Sequence, residues 1–317
     1  MEQQGGLSRR TFIESLAFSA VAGSVGTVTG QPGGERKGKA RFGVNTLLWS
    51  ASDAGGAEWV RKAARFGFDV IELAVFDPAA VDKAAVKRAL DETGLEVTLC
   101  TIMTRERDLI ADTPEPRETA KQYIRDTVLL GEELGAHVFG GPHYAPVGKL
   151  VGRGRTREEW DRAVVGLREV GQFAHDHGVC LCLEPLNRFE TYFLNIAADA
   201  IALVDEVGSP GVQVMLDTFH MNIEEKDPAA AIRACGDRLR HFHACGNDRG
   251  TPGGGSIAWG RIIQALKDVG YDHAAVIESF VPGIKEIAAA AAIWRDIEPS
   301  ADDIARDGLA FLRASGL

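Results

Sequence analysis

VCLCLE, residues 179–184, joins a short apolar run directly to an acidic side chain, and similar runs recur three times further along the chain. The later copies are VQVMLD (212–217), LRHFHA (239–244) and AAVIES (274–279). Short, mostly apolar runs of this kind are typical of strands that are buried on both faces, as in a parallel sheet. Because a segment with apolar residues at helical spacing precedes each run, the stretch predicts alternating helices and strands.

The same alternation extends over the chain from residue 41 onward. The predicted strands are 42–49, 70–76, 97–103, 137–141, 179–184, 212–217, 239–244 and 275–279. The predicted helices are 58–66, 80–93, 118–134, 158–177, 197–207, 228–235, 257–269 and 301–314. Glycines that could cap helices in the left-handed conformation precede six of the strands, at Gly67, Gly94, Gly135, Gly178, Gly208 and Gly270. Eight such units predict an α/β fold, a closed (β/α)8 TIM barrel, as one domain over residues 40–317.

Residues 1–39 differ in kind from the rest of the chain. Two arginines at positions 9–10 precede Phe12, and the mildly apolar stretch 16–28 contains an AVA motif of the type found at cleavage sites. This pattern resembles a twin-arginine (Tat) signal peptide, followed by a flexible Gly- and charge-rich linker at 31–39. We therefore expect a periplasmic or exported protein, with the cytoplasm as the alternative if the signal is not used. No other stretch approaches the roughly 20 apolar residues that span a bilayer.

Charge and cysteine content exclude several classes of protein. The 317 residues carry a formal net charge of −10, which argues against nucleic acid or an anionic membrane as the main partner. The five cysteines include no CxxC pair, so neither a disulfide framework nor a structural zinc site is indicated.

Four side chains with metal-binding capacity stand at the ends of the last four predicted strands. They are Glu184, Asp217, His243 and Glu278. Strand ends of a barrel meet at one mouth, and three carboxylates crowded there would repel one another unless a cation were bound between them. Oxygen donors with a single imidazole suit Mn²⁺ best, with Co²⁺ or Mg²⁺ as alternatives. The sequence therefore predicts a divalent-metal site.

Further polar residues follow the same strands and are expected at the same rim. Glu190, His220 and Arg249 lie three to six residues beyond the proposed ligands, and a substrate-binding role is predicted for His220. Glu72, near the end of the second strand, could face either the substrate or a buried partner.

The strings EPLNRFE (184–190), DTFHMN (217–222), HFHACGNDRG (241–250) and VIESF (276–280) resemble the ketose 3-epimerases, a family of xylose-isomerase-like sugar phosphate isomerase/epimerase barrels. The resemblance covers nearly all of residues 41–317. It implies that Glu184, Asp217, His243 and Glu278 bind the metal, that Glu184 and Glu278 are also the catalytic acid and base, and that Glu190, His220 and Arg249 hold the carbonyl end of the sugar.

The resemblance also implies a reaction and an assembly. The expected substrate is a free ketose of the D-allulose/D-fructose, D-tagatose or ribulose type, inverted at C3 through a cis-enediolate. One glutamate removes the C3 proton and the other returns a proton to the opposite face. The relatives associate, so a homo-oligomer (a dimer or tetramer) is expected.

Two residues depart from the family pattern. Gly246 stands where members commonly carry an acidic residue, and Asn45 stands where several carry an aromatic one. The wall that packs the far end of the sugar is therefore expected to differ. Candidates for that wall are Trp49, His143, Tyr144 and Trp259, each of which fits a core or surface position equally well.

Several alternatives share the same barrel and ligands. Aldose–ketose isomerases, hydroxypyruvate isomerases and inosose dehydratases begin with a similar enolisation, although EPLNRFE and DTFHMN favour the epimerases. A phosphodiesterase resembling endonuclease IV would need a basic surface and more than the eight histidines present. An exported sugar-binding barrel is the non-enzyme alternative, but binding alone does not require two opposed glutamates.

Overall fold

The structure is a computed structural model and describes residues 39–317. The predicted signal peptide and nearly all of its linker lie outside the described residues. Eight strands form one closed parallel barrel in the order of the sequence, with β1 paired to β8. They are β1 (Arg41–Asn45), β2 (Val70–Ala74), β3 (Glu96–Cys100), β4 (Val138–Gly141), β5 (Cys180–Leu183), β6 (Val212–Asp217), β7 (Leu239–Ala244) and β8 (Ala274–Ile277). The predicted TIM barrel is confirmed.

The helices form the outer layer. They are α1 (Gly56–Phe66), α2 (Lys83–Thr93), α3 (Pro114–Leu134), α4 (Arg157–Asp176), α5 (Ala197–Val207), α6 (Thr218–Glu224), α7 (Pro228–Cys235), α8 (Trp259–Asp268), α9 (Lys285–Ala290) and α10 (Ala301–Ala314). All six glycines predicted as caps have positive φ. Within residues 39–317, no helix combines the length and apolarity needed to cross a membrane.

Two elements differ from the prediction because a polar side chain caps the backbone. The first strand stops at Asn45 rather than at residue 49, since the Asn45 side chain accepts the backbone N–H of Leu47 and starts a 3₁₀ turn over Thr46–Leu48. Helix α6 covers residues for which the sequence pattern predicts no helix. It begins directly after β6, where the Asp217 carboxylate accepts the backbone N–H of Phe219 at 2.6 Å.

The end of β4 depends on two glycines, in the segment GGPHY. Gly141 has φ +133°, and a Cβ atom there would lie 2.4 Å from the carbonyl oxygen of Thr101. A Cβ at Gly140 would lie 2.8 Å from Sδ of Met215, inside the barrel. Glycine at both positions therefore lets β4 pass close to the neighbouring strand and the packed interior.

Candidate metal centre and active site

Four potential metal donors meet at the C-terminal mouth of the barrel. Asp217 ends β6 and His243 is the penultimate residue of β7, whereas Glu184 and Glu278 directly follow β5 and β8. One ligand atom from each lies within 4.8 Å of the other three, and all four residues are buried. Parallel strands in consecutive order bring these ends together, as the sequence led us to expect.

The donor atoms fit a hard divalent cation. Glu184 Oε1 and His243 Nδ1 are buried without a hydrogen-bond partner among the described residues, and they lie 4.0 Å apart. His243 Nδ1 is also 3.3 Å from Glu278 Oε2. Buried polar atoms that lack partners are costly, and three carboxylates with one imidazole match the preferences of Mn²⁺ or Mg²⁺. The cluster is a candidate divalent-metal site.

The electrostatics of the cluster are consistent with this assignment. Burial, reinforced by repulsion from Glu278, raises the pKa of Glu184 well above its usual value, and burial also raises the pKa of Asp217. Burial would raise the pKa of Glu278 as well, but the His243 imidazole outweighs it and lowers that pKa to about 2. Because the carboxyls resist simultaneous ionisation, a cation among them would be strongly stabilised.

The three residues predicted to contact substrate line the same cavity. His220 Nδ1 accepts the backbone N–H of Asn187 at 3.1 Å, and Nε2 lies 3.7 Å from Glu184 Oε1. Burial, helped by the charge of Arg249, keeps the pKa of His220 well below its usual value, so the imidazole is neutral. Glu190 accepts a hydrogen bond from the Asn187 side chain at 2.8 Å, which fixes its carboxylate at the rim.

Arg249 is the cation of this cavity and has an unusual backbone. Its φ is +68°, in the left-handed region that few residues other than glycine adopt. The guanidinium lies between the rings of Phe219 and Phe280, at 4.2 and 4.9 Å from their centroids. A strained backbone at a cavity is typical of functional sites, where the surrounding packing holds it in place.

Glu72 faces a buried partner, which resolves the alternative left open by the sequence. Its Oε1 lies 2.6 Å from Nε2 of His243, and its Oε2 lies 2.6 Å from Nε2 of His241. Sequence reasoning missed His241, although a signal was present. In LRHFHA, His241 and His243 are two residues apart on a strand and must point to the same face.

The apolar wall of the cavity differs from the candidates proposed from the sequence. Its lining side chains are Leu47, Ala74, Phe76, Cys100, Thr101, Ile102, Pro142, Val147, Leu186, Phe280, Ile287, Ala290 and Ala291. Trp49 stacks on Trp59, and the Tyr144 hydroxyl donates to the Glu184 carbonyl oxygen. His143, Tyr144 and Trp259 are buried away from the cavity, and Trp49 is half-buried against the core. The aromatic residues of the wall are Phe76 and Phe280.

Comparison with known proteins places this geometry in a family. Residues 60–315 match the family model described as the xylose isomerase-like TIM barrel. A probable ketose 3-epimerase of Synechocystis sp. is 36% identical over 276 residues, which is 87% of this chain and 96% of that protein. A D-psicose 3-epimerase of Enterocloster bolteae is 36% identical over 84% of this chain and 91% of its own length. The chain belongs to the ketose 3-epimerase family.

Solved structures of this family agree with the assignment. A D-allulose 3-epimerase of Methylomonas sp., crystallised with D-allulose, superposes with a TM-score of 0.83 at 30% identity and covers 88% of this chain and 98% of its own. An L-ribulose 3-epimerase gives a TM-score of 0.83 at 32% identity, covering 87% of this chain and 94% of its own. The family resemblance predicted from EPLNRFE and DTFHMN is confirmed.

Proposed function

We propose that this chain is a metal-dependent ketose 3-epimerase acting on a free ketose of the D-allulose/D-fructose, D-tagatose or ribulose type. The observation that carries the proposal is the pair Glu184 and Glu278, buried among the four donors at the mouth of the barrel. Kinship with ketose 3-epimerases over most of the chain supports it. We infer Mn²⁺ as the metal, with Co²⁺ or Mg²⁺ as alternatives, because the donors are mainly carboxylates.

The proposed reaction is proton removal at C3 followed by protonation from the other side. A divalent ion held by Glu184, Asp217, His243 and Glu278 would supply Lewis-acid stabilisation of the charge that develops beside the carbonyl carbon. One of the two glutamates takes the C3 proton, and the other delivers a proton to the opposite face. β5 and β8, which carry them, are separated by β6 and β7, and this separation supports a two-sided arrangement.

Three further residues are proposed to hold the carbonyl end of the sugar. Neutral His220 faces the backbone N–H of Asn187 through Nδ1 and lies 3.0 Å from Arg249 Nη2 through Nε2, which places these two proposed sugar contacts side by side at the cavity. Arg249 adds guanidinium donors, and Glu190 can accept from a sugar hydroxyl.

The charge of the cavity supports a free sugar over a phosphorylated one. Arg249 is the one arginine or lysine among the cavity-lining residues of the described chain, and its guanidinium already pairs with Asp217 and Glu278. A sugar phosphate would normally need several free donors or a helix N-terminus at its phosphate group.

The experiment is solvent exchange followed by proton NMR. The full chain, loaded with Mn²⁺, is incubated in D₂O with a panel of ketoses, and protein and Mn²⁺ are removed before the spectra are taken. Deuterium at C3 together with the C3 epimer would support the proposal and rank the substrates. Exchange at C1 with aldose formation would indicate an isomerase. Loss of a hydroxyl group would indicate a dehydratase, and no reaction with any ketose would indicate a sugar-binding barrel.

Export and assembly are proposed on sequence grounds. The twin arginine at 9–10 supports export through the Tat pathway, and replacing both arginines with lysine is expected to keep the protein in the cytoplasm. The family resemblance supports a homo-oligomer (a dimer or tetramer), which light scattering on the purified chain would measure.

A further inference from the structure

Glu72 is a fully buried carboxylate that does not line the cavity. Its side chain lies inside the barrel on β2, and its relative exposure is 0%. Four polar groups surround it. Asn45 Nδ2 and His243 Nε2 approach Oε1 at 3.0 and 2.6 Å, whereas Thr98 Oγ1 and His241 Nε2 approach Oε2 at 3.0 and 2.6 Å. The contacts with Asn45, Thr98 and His243 are hydrogen bonds, and a buried carboxylate bound in this way is held in one position.

The contact with His243 decides which nitrogen of that imidazole faces the donor cluster. Nε2 points to Glu72, and Nδ1 points to Glu184 and Glu278. A carboxylate can only accept, and an imidazole that binds a metal through one nitrogen carries its single hydrogen on the other. With the hydrogen on Nε2 donated to Glu72, the lone pair of Nδ1 is available to the metal centre.

Asn45 supports Glu72 in turn. The Asn45 Oδ1 atom accepts the backbone N–H of Leu47 at 2.8 Å, which fixes the orientation of the amide. Nδ2 must then face the carboxylates, at 3.0 Å from Glu72 Oε1 and 3.5 Å from Glu278 Oε1. Asn45 is the residue that stands where several family members carry an aromatic one, and in this chain its amide contacts Glu72.

We propose that Glu72 is a positioning residue for the metal centre, which holds His243 with its Nδ1 lone pair directed at the other donors, and that Asn45 holds Glu72 in that orientation. The inference rests on the proposed metal-dependent function. A second metal ion at Glu72, His241 and His243 is not needed to explain the cluster, because both carboxylate oxygens are already occupied by donors and His243 turns its free nitrogen away.

The test compares two substitutions on opposite sides of the same carboxylate. Glu72→Gln keeps the shape but removes the charge that orients His243, whereas Thr98→Val removes a hydrogen bond to Glu72 on the side away from His243. Mn²⁺ affinity is measured by calorimetry on the full chain after chelator treatment, and thermal unfolding is measured without metal. We expect the Kd of Glu72→Gln to rise by about 10- to 100-fold, as for other residues that orient metal-bound histidines. Thr98→Val should stay within about threefold of the wild type.

A second readout separates positioning from catalysis. Saturating Mn²⁺ should restore most of the kcat of Glu72→Gln, because Glu72 does not touch the reacting atoms. A Glu72→Gln protein that binds Mn²⁺ as tightly as the wild type would overturn the inference. The inference would also be overturned if Glu72→Gln and Thr98→Val lost Mn²⁺ affinity equally and lost thermal stability equally.

The wild-type chain offers a test that does not depend on the variant folding. With diamagnetic Mg²⁺ bound, nitrogen-15 NMR of histidine-labelled protein should show the His243 hydrogen on Nε2, with the signal assigned by comparison with His243→Gln. A hydrogen on Nδ1 would overturn the inference. Failure of the wild type to bind any divalent ion would instead overturn the proposed function, so the two failures are distinguishable.

Discussion

Arg249 and Asp217 form a buried ion pair in which Nη1 lies 2.5 Å from Oδ2. The other oxygen of Asp217 is already bound by the backbone N–H of Phe219, so Oδ2 is the one that faces the donor cluster. Nη1 also lies 3.0 Å from Glu278 Oε2. The guanidinium and a divalent ion therefore compete for the same carboxylate oxygens.

From this competition we expect Arg249→Met to bind Mn²⁺ more tightly, on the order of tenfold, or about 1.4 kcal/mol. Without metal, the variant should be less stable by about 3 kcal/mol, because the carboxylates lose their buried counter-charge. Calorimetry and chemical unfolding in chelator measure the two effects. Arg61→Met, at an exposed ion pair with Glu92, is the control and should change neither. Weaker Mn²⁺ binding by Arg249→Met would show that the guanidinium supports the donors instead of competing with them.

Glu278→Gln tests the paired-glutamate mechanism. The amide cannot accept the C3 proton, so we expect the exchange rate at C3 to fall by roughly 10³-fold while the barrel remains folded. The measurement is deuterium incorporation with Mn²⁺ in excess, since the substitution also removes a proposed ligand. Ser279→Ala is a neighbouring control, because its hydroxyl bonds the Gly250 carbonyl and contacts no donor. Near-normal exchange by Glu278→Gln would contradict the mechanism.

His220→Ala separates substrate binding from metal binding. His220 Nε2 lies 3.7 and 4.0 Å from the nearest carboxylate oxygens of Glu184 and Asp217, and its proposed role is to contact the substrate. The variant should show a raised KM and a lowered kcat, so that kcat/KM falls on the order of 10- to 100-fold. Its metal content should be unchanged. Metal analysis of the purified protein checks this. Loss of the metal would mean that His220 belongs among the ligands.

Glu159 gives a prediction for stability against pH. It accepts hydrogen bonds from Arg153, from the Thr156 backbone N–H and from the Tyr192 hydroxyl, which together outweigh burial and lower its pKa from 4.5 to about 2. A group whose folded pKa is depressed stabilises the protein above its unfolded pKa and loses this contribution as pH falls. Glu159→Gln should therefore cost about 2 kcal/mol at pH 7 and at pH 5, and the difference should shrink between pH 4.5 and 2.

Urea unfolding in chelator at several pH values measures this difference. Asp161→Asn, at an exposed ion pair on the same helix, is the matched control and should change stability little at any pH. A loss in Glu159→Gln that stays constant down to pH 3 would show that packing, and not the charge, is responsible.

The barrel could be predicted because its strands are buried on both faces. In the sequence they therefore correspond to short apolar runs between amphipathic helices. VCLCLE and AAVIES are examples, and each run ends in a residue that the strand direction brings to the mouth. Helix α6 could not be predicted in this way. It is seven residues long, and its start is set by Asp217, which has to be recognised as a cap as well as a candidate ligand.

Contacts across the barrel were the part of the site that the sequence did not reveal. The contact between Glu72 and His243 joins residues 171 positions apart, and no local pattern predicts it. The bridging position of Arg249 depends on a left-handed backbone, which the surrounding fold imposes. The apolar wall likewise depends on the packing of the segment that follows β8, and Phe76 and Phe280 are ordinary strand-end residues until that packing is seen.

The link between Glu72 and His243 has a consequence for how the molecule assembles. All four proposed ligands lie in the second half of the chain, yet the carboxylate that orients one of them comes from β2. A fragment beginning at residue 179 would carry every ligand and still lack the residue that aims the imidazole. On the proposed role of Glu72, high-affinity metal capture requires β2 and β7 to have come together, and a bound ion would stabilise the barrel as one cooperative unit and not its C-terminal half alone.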